Sequence, residues 1–192
     1  MNDGVKKLEQ DVAIVVAMAA QMDDYLKSNV LFGKMGRSGM PMLTLGGYLM
    51  RQYRLLALSD LLSQAKQAET ETAVSQFNAA LVEKIVRFET KAHTELDARI
   101  RQFEAYLHDL RHRQATGVNY RTAVELRAMI AAIINQLMMA PYQLERKIPS
   151  RVEILDQTLR QHWVPDTFIW PEAWQPAYPQ DEFWWLYGEP KA

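Results

Sequence analysis

The sequence predicts an all-α protein: an elongated bundle of four main helices, with a short fifth helix and a Pro/Trp-rich extended C-terminal tail packed on it. Apolar residues recur at helical spacing along most of the chain, Gly and Pro gather in a few segments, and all five Trp stand at or beyond position 163. With 192 residues and 48% hydrophobic content the chain is long enough for one domain with its own core. We read residues 1–162 as the bundle and 163–192 as an aromatic, acidic strap of the same domain.

A first helix is expected over 5–28, where Leu8, Val12, Val15, Ala19, Met22 and Leu26 recur at gaps of 4, 3, 4, 3 and 4. Ile14, Val16 and Met18 broaden that stripe, so cover on more than one side is expected. The segment NVLFGKMGRSGMPMLTLGG at 29–47 holds five Gly and one Pro and reads as an ordered loop. A second helix is expected over 44–68, with Tyr48, Leu55, Leu58, Leu62 and Ala65 inward.

The third helix, over 72–114, has the strongest pattern. From Val74 through Phe77, Leu81, Ile85, Phe88, Ala92, Leu96, Ile100, Phe103 and Leu107 to Leu110, ten steps cover 36 positions, a mean of 3.6. No Gly or Pro falls between Gly47 and Gly117. The second and third helices are therefore either one rod or broken at ETET (69–72) with a Thr cap. Gly117 is expected to end the third helix and Asn119 to cap a fourth over 120–145, which Pro141 kinks or splits. Its inward residues are Leu126, Ile130, Ile133, Leu137 and Leu144. SRVE at 150–153 reads as a capping box, with Ser150 as N-cap and Glu153 reaching back, opening a short fifth helix to about 162. Five Pro beyond position 163 exclude a long helix in the tail. No strand pattern or internal repeat is evident.

Length adds a constraint. A helix of about 43 residues is about 65 Å long, whereas a compact globule of this size is roughly 40 Å across. The far end of the third helix would then present Phe103, Leu107 and Leu110 to a second copy or a partner, unless the fourth helix and the tail cover it.

The tail poses the sharpest question. FIWPEAWQPAYPQDEFWWLYGEP and the residues around it carry five Trp together with Phe168, Tyr178, Phe183 and Tyr187. Nine such rings left in water are an aggregation hazard, so Trp163, Trp170, Trp174, Phe183, Trp184, Trp185 and Tyr187 are expected to dock on something. The expected cover is the protein's own bundle, with exchange across a dimer or docking on another protein as the alternatives. Residues 163–192 carry a net charge of −4 and the remainder +3. Asp166, Glu172, Asp181 and Glu182 are therefore expected to meet Arg and Lys of the body.

The same inventory narrows function. The absence of Cys excludes disulfides, Cys-ligated zinc, iron–sulfur clusters and thiol catalysis, and fits a cytoplasmic location. The N-terminus MNDGVKKLEQD does not read as a signal peptide, and the run VAIVVAMAA is shorter than the roughly 20 apolar residues of a membrane span. HDLRH places His108 and His112 four apart on one helix face, a spacing that suits two ligands of one metal but supplies no third. ETKAH sets Glu89 four before His93, not the three of a diiron Glu-x-x-His, and has no second copy. The acids Glu95, Asp97 and Glu104 are expected to face water. GKMGRSG offers Lys34 and Arg37 to an anion but is no Walker loop. Arg111, Arg113, Arg146, Lys147 and Arg151 outline a basic face without a known nucleic-acid-binding motif.

No cofactor is expected. The function expected is a non-enzymatic protein–protein interaction or structural module, self-associating or bound to another protein. An anion- or metal-binding bundle, possibly an enzyme, and a nucleic-acid binder are the alternatives.

Overall fold

α1 spans Asp3–Lys27, α2 Leu45–Ala57, α3 Gln64–Val82, α4 Ile85–Arg111, α5 Tyr120–Leu137 and α6 Lys147–Arg160. The computed structural model describes residues 3–112 and 119–191, so Arg113 and the expected stop at Gly117 lie outside the described residues. The chain is all-α, and its tail closes on two three-residue antiparallel strands, β1 (Trp163–Pro165) and β2 (Gly188–Pro190). Among the described residues no helix is long and apolar enough to cross a membrane.

The stripe of α1 is buried throughout, with no member more than 2% exposed, and it packs chiefly on α3. α5 lies against both α2 and α4, and α6 against α4. The Gly-rich stretch is an ordered loop, as its composition predicts. Gly33 and Leu43 exchange backbone hydrogen bonds of 2.9 and 2.7 Å, and Gly39 turns the chain at φ +80°, a conformation that favours Gly.

Three boundaries differ from expectation. First, α2 stops at Ala57 and Ser63 caps α3, so ETET lies inside α3. Gln67 Nε2 secures the intervening turn by donating to the carbonyls of Ser59 and Leu62 at 2.9 and 3.1 Å. Second, the long third helix breaks at Glu83–Lys84, where Lys84 leaves helical geometry at φ −135°, ψ 37°. Glu83 stays helical, so the apolar stripe keeps its count across the break and periodicity cannot register it. The 27-residue α4 is about 40 Å long, which fits the globule. Third, Ser150 lies within α6 and is not its cap. The helix begins at Lys147 without a side-chain cap, and Pro149 occupies the third helical position, where no intrahelical N–H is required. α5, capped by Asn119 as expected, ends at Leu137. Pro141 sits four residues later, and its ring would crowd the carbonyl of that last helical residue.

The start of α2 explains two of the glycines and overturns one expectation. Thr44 Oγ1 accepts from Gly47 N–H at 2.9 Å, while Glu95, reaching from α4, accepts from Leu45 and Gly46 N–H at 2.7 and 3.1 Å. Glu95 was expected to face water and is instead 0% exposed. Burial pushes its pKa up, opposed by the Arg99 guanidinium and by the two helix-end amides. Arg99 meets it at 3.2 and 3.3 Å. A Cβ on Gly46 would lie 2.8 Å from Glu95 Oε1 and 3.0 Å from Met129 Cβ, so only Gly admits this approach. Glu95→Ala would strand two buried amides and Arg99. A loss of roughly 3 kcal/mol is expected in urea denaturation, whereas an exposed control such as Glu71→Ala should stay within about 0.5 kcal/mol.

Candidate interaction surface

The tail lies on the protein's own body. Trp174, Tyr178, Phe183, Trp184 and Trp185 are buried, and Trp163, Phe168, Trp170 and Tyr187 half-buried. Seven of these rings form a continuous chain, and Phe168 and Tyr187 pair with each other at 4.9 Å. Trp163 meets Trp184 at 5.2 Å, Trp184 meets Trp185 at 6.0 Å, and Trp185 meets Phe183 at 5.6 Å. From Phe183 the chain runs to Tyr178 at 5.0 Å, Trp170 at 4.8 Å and Trp174 at 6.0 Å. Hydrogen bonds fix its register on the body. Trp174 Nε1 donates to Gly4 O at 3.0 Å, Tyr53 OH to Ala177 O at 2.8 Å, Tyr120 OH to Trp185 O at 2.7 Å and Arg121 Nη1 to Ile169 O at 3.1 Å.

The attraction between basic body and acidic tail takes a form the sequence did not suggest. Among the described residues no ion pair within 4.0 Å joins Asp166, Glu172, Asp181 or Glu182 to the body. The arginines meet the rings instead. Arg54 lies 3.9 Å from the Trp174 centroid, Arg127 4.0 Å from Trp185 and Arg160 3.7 Å from Trp184. Two of these cations are held edge-on by carboxylates. Asp11 Oδ2 accepts from Arg54 at 2.6 and 2.9 Å, and Asp156 accepts from Arg127 at 2.8 and 2.9 Å. A planar guanidinium offers its edge to an acid and its face to a ring at once, which Lys cannot do. Sequence reasoning passed over Asp11, Arg54 and Arg127. The one available signal was an acid, Asp11, placed directly beside the apolar stripe of α1.

The other predicted residues are placed as follows. Phe103 and Leu107 are 0% and 2% exposed, and Leu110 packs partly buried against the core. Of the two covers the sequence left open for this end, the chain's own is the one present: α4 packs on α5, and the break at Glu83–Lys84 keeps it inside the fold. His108 and His112 are exposed and stack face to face at 4.2 Å, and His112 Nδ1 is committed to the His108 carbonyl at 2.8 Å. No group of three potential metal ligands occurs among the described residues. Lys34 and Arg37 are exposed on the loop, and Arg37 borders a groove of about 600 Å³ beside α1 with Met35 and Met40. On the basic face, Arg151 pairs with Asp97 and Glu104, and Lys147 with Glu145 at 2.9 Å, while Arg111 and Arg146 are exposed.

Exposed apolar side chains occur at Met138, Met139 and Ile154 and, most fully, at the elbow between α3 and α4. Val82 and Val86 are 73% and 77% exposed, Ile85 37%, and Val30 on the adjoining segment 51%. A groove of about 280 Å³, lined by Leu26, Leu31, Val86 and Lys91, opens beside them. The elbow is held from beneath by cations at the C-terminus of α1. Arg87 donates to Lys27 O at 3.0 Å, Lys91 to Ser28 O and Val30 O at 3.0 and 2.6 Å, and Lys84 pairs with Asp23. On the other flank of α4 a polar groove of about 630 Å³ runs between Glu89, His93, Asp97, Glu145 and Arg146. Thr90 and Thr94 border both grooves, so the outer ridge of α4 stands between them.

Comparison with protein-family models, with curated proteins and with solved structures finds no match.

All five Trp report on the tail, so native emission should be blue-shifted and move red on unfolding. A Cβ on Gly188 would fall 2.1 Å from the Val164 carbonyl oxygen, and backbone cannot yield there. Gly188→Ala should therefore open the β1–β2 pair and shift native emission towards the red. An unchanged spectrum would refute this account of the tail's closure.

Proposed function

We propose that this chain is a non-enzymatic protein–protein interaction module that pairs with a second copy of itself through the α3–α4 elbow. The observation that carries the proposal is the exposure of Val82 and Val86, both about three-quarters bare, next to an apolar groove. Exposed apolar side chains gathered at one helix junction mark a contact site.

Charge around the elbow favours a second copy over an unrelated partner. Glu83 and Asp23 lie on its rim together with Lys27 and exposed Arg87, so both signs border one apolar centre. A two-fold axis through such a patch sets each residue's neighbourhood against itself, and acids on one copy can face bases on the other. The aromatic tail takes no part, because its rings are already covered.

Sedimentation equilibrium tests the proposal. The wild-type chain should populate dimers at tens of micromolar, and the double variant Val82→Glu, Val86→Glu should remain monomeric. Its thermal unfolding should stay close to wild type, because exposed substitutions cost within about 0.5 kcal/mol each. A monomeric wild type over that range, or a dimer indifferent to both substitutions, would overturn it.

A further inference from the structure

The connection from α5 to α6 is held on α4 by an unusual pair of contacts. Tyr142 lays its ring 4.8 Å from Phe88 and Leu144 packs on the core, so these two side chains turn inward. The alternate residues present their amides to α4. Gln143 N–H donates to Glu89 Oε2 at 3.0 Å, and Glu145 N–H donates to His93 Nε2 at 3.2 Å. The two repeats match. Same-side amides of an extended chain recur at about 6.6 Å, and residues one turn apart on a helix at about 6 Å.

The second nitrogen of His93 fixes the state of the ring. Nδ1 lies 2.9 Å from the carbonyl oxygen of Glu89, which can only accept. Nδ1 therefore carries the hydrogen, and Nε2 offers its lone pair to Glu145. A proton added at Nε2 would set N–H against N–H and abolish the contact.

We propose that His93 is a pH-sensitive latch: neutral, it holds the α5–α6 connection on α4; protonated, it releases Glu145 and widens the groove beside the α4 ridge. The charged groups around the ring are Glu89, Asp97 and Arg101 on α4, and Glu145 and Arg146 on the connection. Asp97 is engaged by Arg151, and Glu145 by Lys147. The latch is closed while the imidazole is neutral and opens when Nε2 gains a proton. Gln143 is held by Glu89 and not by the imidazole, so the release begins after Gln143. The latch stands on this geometry alone and does not depend on self-association.

Nitrogen-15 NMR of the full chain from about pH 8 to about pH 5 tests it. His93 should show the Nδ1–H tautomer at the alkaline end. The Glu145 amide resonance should move with the midpoint of the imidazole, and its exchange protection should fall about tenfold, in keeping with the loss of one hydrogen bond, while Gln143 stays protected. His93→Gln retains an acceptor that does not titrate, and should flatten the Glu145 profile. An Nε2–H tautomer, a Glu145 amide indifferent to the His93 titration, or a His93→Gln profile equal to wild type would each overturn the latch.

Discussion

Asp11 joins three parts of the chain that are far apart in sequence. It projects from α1, is 6% exposed, and binds Arg51 at 3.0 Å and Arg54 at 2.6 Å on α2. Arg54 in turn lies over Trp174, whose indole N–H returns to Gly4 at the start of α1. First helix, second helix and tail thus close on one carboxylate. A buried ion pair adds little net stability over a well-packed apolar cluster, but losing one partner leaves an uncompensated buried charge. The arrangement therefore acts mainly as a constraint. Arg54 has a single place to go, and Trp174 has one face to meet.

α4 shows how one amphipathic helix serves several neighbours. Phe88, Ala92, Leu96, Ile100 and Phe103 form its apolar row, all 0% exposed. Beside it, Lys91, Glu95 and Arg99 form a charged row that is itself buried: Lys91 is spent on backbone carbonyls of the segment after α1, Glu95 on backbone amides at the start of α2, and Arg99 on Glu95 and the Thr44 hydroxyl. A further row, Glu89, His93 and Asp97, holds the α5–α6 connection and α6 through Gln143, Glu145 and Arg151. The ridge of Val86, Thr90 and Thr94 is left outward. The exposed elbow and the latch are thus two flanks of the same helix, and each is defined by what the inner rows already hold.

The tail extends the same logic to aromatic groups. Its carboxylates remain on the outside while arginines of the body lie against its rings, so the complementary charge of body and tail is expressed as cation–π contact. Trp and Tyr suit that position, because their faces attract a cation, and the Trp174 N–H and Tyr187 O–H reach backbone carbonyls.

By itself the sequence determined the helical class, the stripes of α1, α4 and α5, the Asn119 cap, the ordered Gly loop and a tail without a long helix. These follow from local rules: a 3.6-residue period, capping chemistry and the geometry of Gly and Pro. Tertiary structure decided where helices break without Gly or Pro, because Glu83–Lys84 costs the apolar stripe no residue and leaves its phase intact. It also decided the fate of the charges. Glu95, Asp11 and Arg54 read locally as surface residues, and each is buried because a partner distant in sequence supplies its counter-charge or hydrogen bond. Such pairings carry no period. The same is true of His93, whose role rests on an amide 52 residues away, a distance that only the packed chain closes.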